Sequence, residues 1–183
     1  MSAARDHQTK PKPFELLLAQ DAIAHRITEL GHQITRDYAG RTPVLIGVLK
    51  GCIIFIADLM RVIKLPLEIE FVAAESYQTG MQPGDTVKLD KVLGRQFHGR
   101  HVLIVEGIVD SGRTVTTIMK QLEAVEPASV EVVTLIDKPA SHRRKLKLKY
   151  VGFSLGNEFV IGFGLDNTQR YRNLPFIGRM LED

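Results

Sequence analysis

At 183 residues, 44% of them hydrophobic and 25% charged, the chain can bury one full domain core and is too mixed in composition to be disordered or fibrous. Its net charge of +3, from 24 basic and 21 acidic residues, argues against a nucleic-acid binder but suits a small anionic ligand. The single cysteine, Cys52, excludes a disulfide framework and a cysteine-based metal site and points to a reducing, cytoplasmic compartment, and no apolar run reaches the ~18 residues of a membrane span.

The opening MSAARDHQTKPKP has no apolar stretch behind its charges, so a frayed tail is expected rather than a signal peptide. In AQDAIAHRITELGHQI, residues Ile23, Ile27, Leu30 and Ile34 recur at helical spacing, with Asp21 near the start. TPVLIGVLKG is a continuous apolar run closed by glycine, which predicts a strand buried on both faces. CIIFIADLMRVI predicts a buried helix and LEIEFVAAESY a second strand. QTGMQPGDT is a loop punctuated by glycine and proline, and TVKLDKV alternates like an exposed strand. HVLIVEG is the third buried strand, VTTIMKQLEAVEP a helix stopped by Pro127, and SVEVVTLIDKP the fourth. YVGFSLG and EFVIGFG supply short final strands. Buried strands alternating with helices predict an α/β fold, a Rossmann-like parallel sheet flanked by helices. Ligands of such sheets bind beyond the carboxyl ends of the strands. Those ends carry LKG, ESY, EGIVDSGRT and DKP, so all should face one crevice.

The segment VLIVEGIVDSGRTVTTI, residues 102–118, places polar residues where a strand hands over to a helix. A helix N-terminus offers unpaired N–H groups and the positive end of a dipole. Ser111, Thr114 and flexible Gly112 add donors and close backbone approach, a combination that holds phosphate. The spacing matches neither G-x-x-x-x-G-K-[ST] nor G-x-G-x-x-G. Glu106 and Asp110 would repel a phosphate, so they serve something else: ribose hydroxyls, a divalent metal or a proton.

VLIVEGIVDSGRT resembles the phosphoribosyl-diphosphate (PRPP) motif of the type I phosphoribosyltransferases. GVLKG is similar to the pyrophosphate loop of the hypoxanthine-guanine branch, and ESYQTG to the start of its mobile loop. LIDKP and EFVIGFGLDNTQRYRNLPFIG resemble its purine-binding strand and C-terminal hood, so the likeness runs from about Ile23 to Gly178. The resemblance implies a single phosphoribosyltransferase domain over residues 1–183, with a core at about 36–150 and a small hood from about 14–35 and 151–183. It implies a purine-salvage reaction in which hypoxanthine or guanine and PRPP give IMP or GMP and pyrophosphate. Glu106, Asp110, Ser111, Gly112, Arg113 and Thr114 would bind PRPP, with Asp110 also the general base at the purine N7. Lys50, Gly51 and Arg172 would hold pyrophosphate. Lys138, Phe159, Val160 and Asp166 would bind the base, Lys138 through the O6 that adenine lacks. Ser76 and Tyr77 would belong to the closing loop, and Glu106 and Asp166 would hold Mg²⁺. A homodimer or homotetramer with no nucleic-acid or membrane partner is implied.

Taken singly, these residues have ordinary roles as helix-start acids, surface cations and a core aromatic; their joint arrival at strand ends carries the reading. The run HRRKLKLK, residues 142–149, is expected to be a solvated loop and strand edge. The family's third strand usually ends in two adjacent acids, whereas Glu106 is followed here by Gly107. That leaves a ribose-binding carboxylate missing, and restoring it as Gly107→Asp is expected to tighten PRPP binding unless Gly107 has a positive φ. Two other functions fit the same motifs: a relative with altered base choice, such as xanthine, and a PRPP-binding regulator. The regulator is disfavoured by the lack of an appended helix-turn-helix pattern.

Overall fold

The computed structural model describes residues 14–76 and 87–181. Among them the chain runs β1 (Phe14–Leu18), α1 (Gln20–Asp37), β2 (Val44–Leu49), α2 (Ile53–Val62), β3 (Glu68–Ser76), β4 (Val87–Leu89), β5 (His101–Val109), α3 (Arg113–Glu123), β6 (Ser129–Asp137), β7 (Tyr150–Ser154), β8 (Val160–Ile161) and β9 (Ile177–Met180). The main sheet has the order β4-β3-β2-β5-β6-β7. Strands β3, β2, β5, β6 and β7 are mutually parallel, and β4 closes the edge antiparallel to β3.

The long apolar runs are explained by burial on both faces. In β2, Leu45 joins a core under α1 and α2, whereas Val44, Ile46 and Val48 join a second core under α3. In β5, Leu103 and Val105 face the first core and Val102 and Ile104 the second. Side chains alternate along a strand, so a strand covered on both sides must be apolar at every position. Helix α1 buries Ile23, Ile27, Leu30 and Ile34, the stripe expected from its spacing.

A small antiparallel sheet, β1-β9-β8, ties the described N-terminal strand to the C-terminal one. Arg179 and Glu15 form an ion pair across it at 2.5 Å. This unit is narrower than the hood boundaries at 35 and 151 suggest. Helix α1 packs its apolar stripe into the main core, and β7 pairs with β6, so both lie with the large sheet.

Candidate active site

Parallel pairing carries the ends of β2, β3, β5 and β6 to one edge of the main sheet, as the chain order predicts. Strand β5 ends at Val109 and α3 begins at Arg113, leaving Asp110–Gly112 as the turn. Gly112 has φ +77, a left-handed conformation that glycine takes at no steric cost. Its carbonyl accepts the Thr116 hydroxyl at 2.8 Å, which fixes the first turn of α3. Glu106, Asp110, Ser111, Gly112, Arg113 and Thr114 all line one cavity of about 90 Å³. Asp110 is exposed.

Glu106 has an unusual environment. Its Oε2 is buried without a hydrogen-bond partner, although the residue as a whole keeps some exposure. Burial pushes its carboxyl well above the usual carboxylate range. Cys52, the residue that caps the start of α2, is buried. Burial first, and the Glu106 charge second, push its thiol up to about 12, so it stays a thiol at neutral pH.

Gly107 corrects the sequence expectation. Its φ is not positive, and the place of a side chain there is already taken. A Cβ on Gly107 would lie 2.5 Å from the Gly51 carbonyl oxygen and 2.8 Å from its carbon. Gly164, at φ +95, also approaches this oxygen, and a Cβ there would likewise lie 2.5 Å away. The Gly51 carbonyl is therefore packed closely against two glycines. Adjacent strand residues point to opposite faces, so Glu106 opens onto the cavity beside α3 while Gly107 faces that loop. The missing acid leaves no gap toward the Glu106 side.

Within the C-terminal segment, Arg172 donates to the Gly164 carbonyl at 2.8 Å and forms an ion pair with Asp166 Oδ1 at 2.8 Å. Asp166 Oδ2 also accepts the Gln169 backbone N–H at 2.8 Å. Gln169 Oε1 accepts from Arg172 at 3.1 Å and from Lys50 Nζ at 3.4 Å. The two expected pyrophosphate cations thus meet on one amide. Gln169 carries no sequence signal, because only the fold brings residues 50 and 169 together. The Leu49–Lys50 peptide bond is cis.

Lys138 follows β6 and is 6% exposed, yet its Nζ has no protein partner among the described residues. Its backbone N–H donates to the Val109 carbonyl at 2.9 Å, which ties it to the turn after β5. Neighbouring Asp137 Oδ1 lies 2.7 Å from His142 Nε2, a contact that sequence reading missed. Phe159 is 54% exposed and immediately precedes buried Val160 in β8. Ser76 ends β3, its backbone paired with Val87, and Tyr77 lies outside the described residues.

No three His, Cys, Asp or Glu side chains come together as a metal-ligand group among the described residues. Oxygen donors are nevertheless what Mg²⁺ takes, and it needs few from a protein when phosphates supply the rest. The unpartnered Glu106 Oε2 fits such a donor; the Asp166 carboxylate is already engaged by Arg172.

Residues 15–168 match the phosphoribosyl transferase domain family. The hypoxanthine phosphoribosyltransferase of Salmonella typhimurium is 42% identical over 91% of this chain and 95% of its own. The chain belongs to the phosphoribosyl transferase family. Solved structures agree with that membership. A hypoxanthine phosphoribosyltransferase from Staphylococcus aureus is 40% identical to this chain and covers 91% of each chain, with a TM-score of 0.86. A hypoxanthine-guanine phosphoribosyltransferase from Bacillus anthracis is 36% identical with a TM-score of 0.87, covering 93% of this chain and 100% of that one. The chain spans 25% of the length of another relative, the bifunctional protein TilS/HprT of Listeria monocytogenes, at 42% identity. Among the described residues no helix is long and apolar enough to cross a membrane.

Proposed function

We propose that this chain transfers the 5-phosphoribosyl group of PRPP to hypoxanthine or guanine, releasing pyrophosphate and forming IMP or GMP. The observation that carries the reading is the one cavity shared by Glu106 and Asp110–Thr114, at the same sheet edge as a nearly buried lysine without a side-chain partner among the described residues. In this reading the N–H groups at the start of α3 and the Ser111 and Thr114 hydroxyls hold the 5′-phosphate. Glu106 accepts hydrogen bonds from the ribose hydroxyls, which would supply the partner its buried oxygen lacks. The C1′–O bond to pyrophosphate breaks through an oxocarbenium-like transition state as the purine N9 attacks C1′. The N7 proton passes to Asp110, a transfer that contributes ~10²–10⁴-fold. Lys50, Gly51 and Arg172 receive the leaving pyrophosphate. Lys138 donates to O6, Phe159 stacks on the ring and Val160 offers backbone groups to the base edge. Mg²⁺ would be held by the unpartnered Glu106 oxygen, and by Asp166 only if Arg172 turns from it to the pyrophosphate, and would neutralise charge on the leaving group.

The enzyme is further proposed to work in the cytoplasm as a homodimer or homotetramer, with Ile53 and Ile54, 41% and 38% exposed on α2, as candidate subunit contacts. The activity test is ultraviolet absorbance of hypoxanthine or guanine mixed with PRPP and Mg²⁺. Wild-type enzyme is expected to convert both bases. Asp110→Asn is expected to bind PRPP normally and turn over ~10²-fold or more slowly. No conversion by the wild type sinks the proposal; wild-type turnover in the variant removes Asp110 from the base role.

A further inference from the structure

The basic run at 142–149 does more than end a loop. Leu146 and Leu148 pack inward against the core beneath α3, so the alternating side chains Lys145 and Lys147 stand outward. The segment is pinned at both ends. His142 meets Asp137 at 2.7 Å, and Lys149 pairs with Glu131 at 3.6 Å and Asp37 at 3.9 Å. Between these anchors the chain lies along α3 and forms a groove of about 350 Å³ with Thr116, Lys120 and Glu123. Lys120, Arg144, Lys145 and Lys147 line it, and Arg143 stands exposed beside it. None of these five cations has a side-chain hydrogen bond or ion pair among the described residues. Glu123 is the one acid in the lining. Five unpaired cations exceed the net charge of +3 of the whole chain, so the positive excess is concentrated on this face. Like charges held together with only one acid among them repel, and a bound anion relieves that repulsion.

We infer that this groove binds a phosphorylated small molecule carrying at least two phosphate groups. Its volume falls within the ~300–1,000 Å³ of small-ligand sites. The lining holds no aromatic platform of the kind on which single-stranded nucleic acids stack. The two apolar residues of the lining, Met119 and Leu146, are both partly buried against the core, so neither offers the exposed apolar face that inserts into a lipid surface.

The groove is joined to the phosphate loop after β5. The Arg143 backbone N–H donates to the Ser111 carbonyl at 3.2 Å, and Leu146 fills the space that a Cβ on Gly112 would occupy. An anion drawing residues 144–147 toward Lys120 therefore holds Leu146 against Gly112 and stabilises the loop in its observed form. Coupling between two binding sites is reciprocal, so PRPP at that loop must tighten anion binding in the groove by the same factor. This coupling rests on the reading of Ser111–Thr114 as the PRPP site; the groove itself does not.

Equilibrium dialysis with inorganic tripolyphosphate tests the inference. Two ions per wild-type chain are expected, of which PRPP displaces one. The triple variant Arg144→Ala, Lys145→Ala, Lys147→Ala should lose the ion that PRPP does not displace and keep the other. With PRPP bound, tripolyphosphate should slow amide hydrogen exchange at residues 111–113 in the wild type and not in the variant. A single PRPP-displaceable ion in the wild type, or a second ion unaffected by the triple substitution, overturns the site. Retention of a short single-stranded RNA or of phosphatidylglycerol vesicles without a second tripolyphosphate ion overturns the small-molecule assignment. If PRPP displaces no ion while the triple variant still loses one, the active-site reading fails and the groove stands.

Discussion

Lys138 combines near-complete burial with an ammonium that no protein group satisfies among the described residues. Such a cation gains most from an acceptor brought by a ligand, and a charge-assisted hydrogen bond in a closed site contributes ~1.5–3 kcal/mol. Lys138→Ala is expected to raise KM for guanine by ~10- to 100-fold while leaving Kd for PRPP unchanged. Equal effects on both constants would detach Lys138 from the base. Glu106 presents the opposite imbalance: an acid held where its charged form is disfavoured. Because burial raises its folded pKa, the folded state keeps a proton that the unfolded chain releases above ~4.3. Stability is therefore lost as pH rises from that value through the folded pKa. Glu106→Gln removes the loss, so its melting temperature without ligand should match the wild type near pH 4 and exceed it increasingly toward neutrality. PRPP binding should weaken in the same variant. A constant offset between the two melting curves at all pH values would exclude titration of Glu106 as the cause.

At the scale of elements, the junction of β5 with the loop after β2 depends on what is absent. The Gly51 carbonyl occupies the ground a side chain on Gly107 would need, with Gly164 closing on it from the C-terminal segment. A rigid backbone atom cannot swing aside as a flexible side chain can, so overpacking here costs ~1–3 kcal/mol. Gly107→Asp is accordingly expected to lower the melting temperature without ligand and to weaken both PRPP binding and inhibition by pyrophosphate. Gly107→Ala should show the same effects in smaller measure. Calorimetry with and without PRPP reads both, and an aspartate variant of wild-type stability with tighter PRPP binding would restore the missing-carboxylate view. The turn after β5 follows the reverse logic: Gly112 is required both by its positive φ and by Leu146 above it.

For the whole molecule, the hood is held by strands from opposite ends of the described chain. β1 pairs with β9 in antiparallel register, Phe14 opposite Met180. The Phe14 ring also meets Phe176 at 5.7 Å and Tyr171 at 6.3 Å between centroids. Aromatic pairs contribute ~0.5–1.5 kcal/mol each beyond burial. Phe14→Ala should therefore loosen the small sheet as a unit. The expected readout is faster hydrogen exchange in residues 160–161 and 177–180, with β5 and β6 unchanged and a higher KM for the base than for PRPP. Exchange that rises uniformly across both sheets would mean that hood and core open together.

Much of this architecture could be read from residue order alone. Unbroken apolar runs in β2 and at the start of β5 required a sheet covered on both faces, and the period of α1 fixed which side it buries. The helix start at residues 110–114 was legible because a glycine turn opening a helix is local chemistry, written in consecutive residues. Contacts between distant segments were not. Gln169 bridging Lys50 and Arg172, Asp166 spent on Arg172, and Leu146 lying over Gly112 depend on chain crossings that no local pattern encodes. Gly107 shows the limit most directly. The sequence marks an absent carboxylate, but whether that absence is a void or a seat depends on which atom lies opposite. Only the packing of the Gly51 carbonyl against β5 decides it, because steric exclusion acts between neighbours in space rather than in sequence.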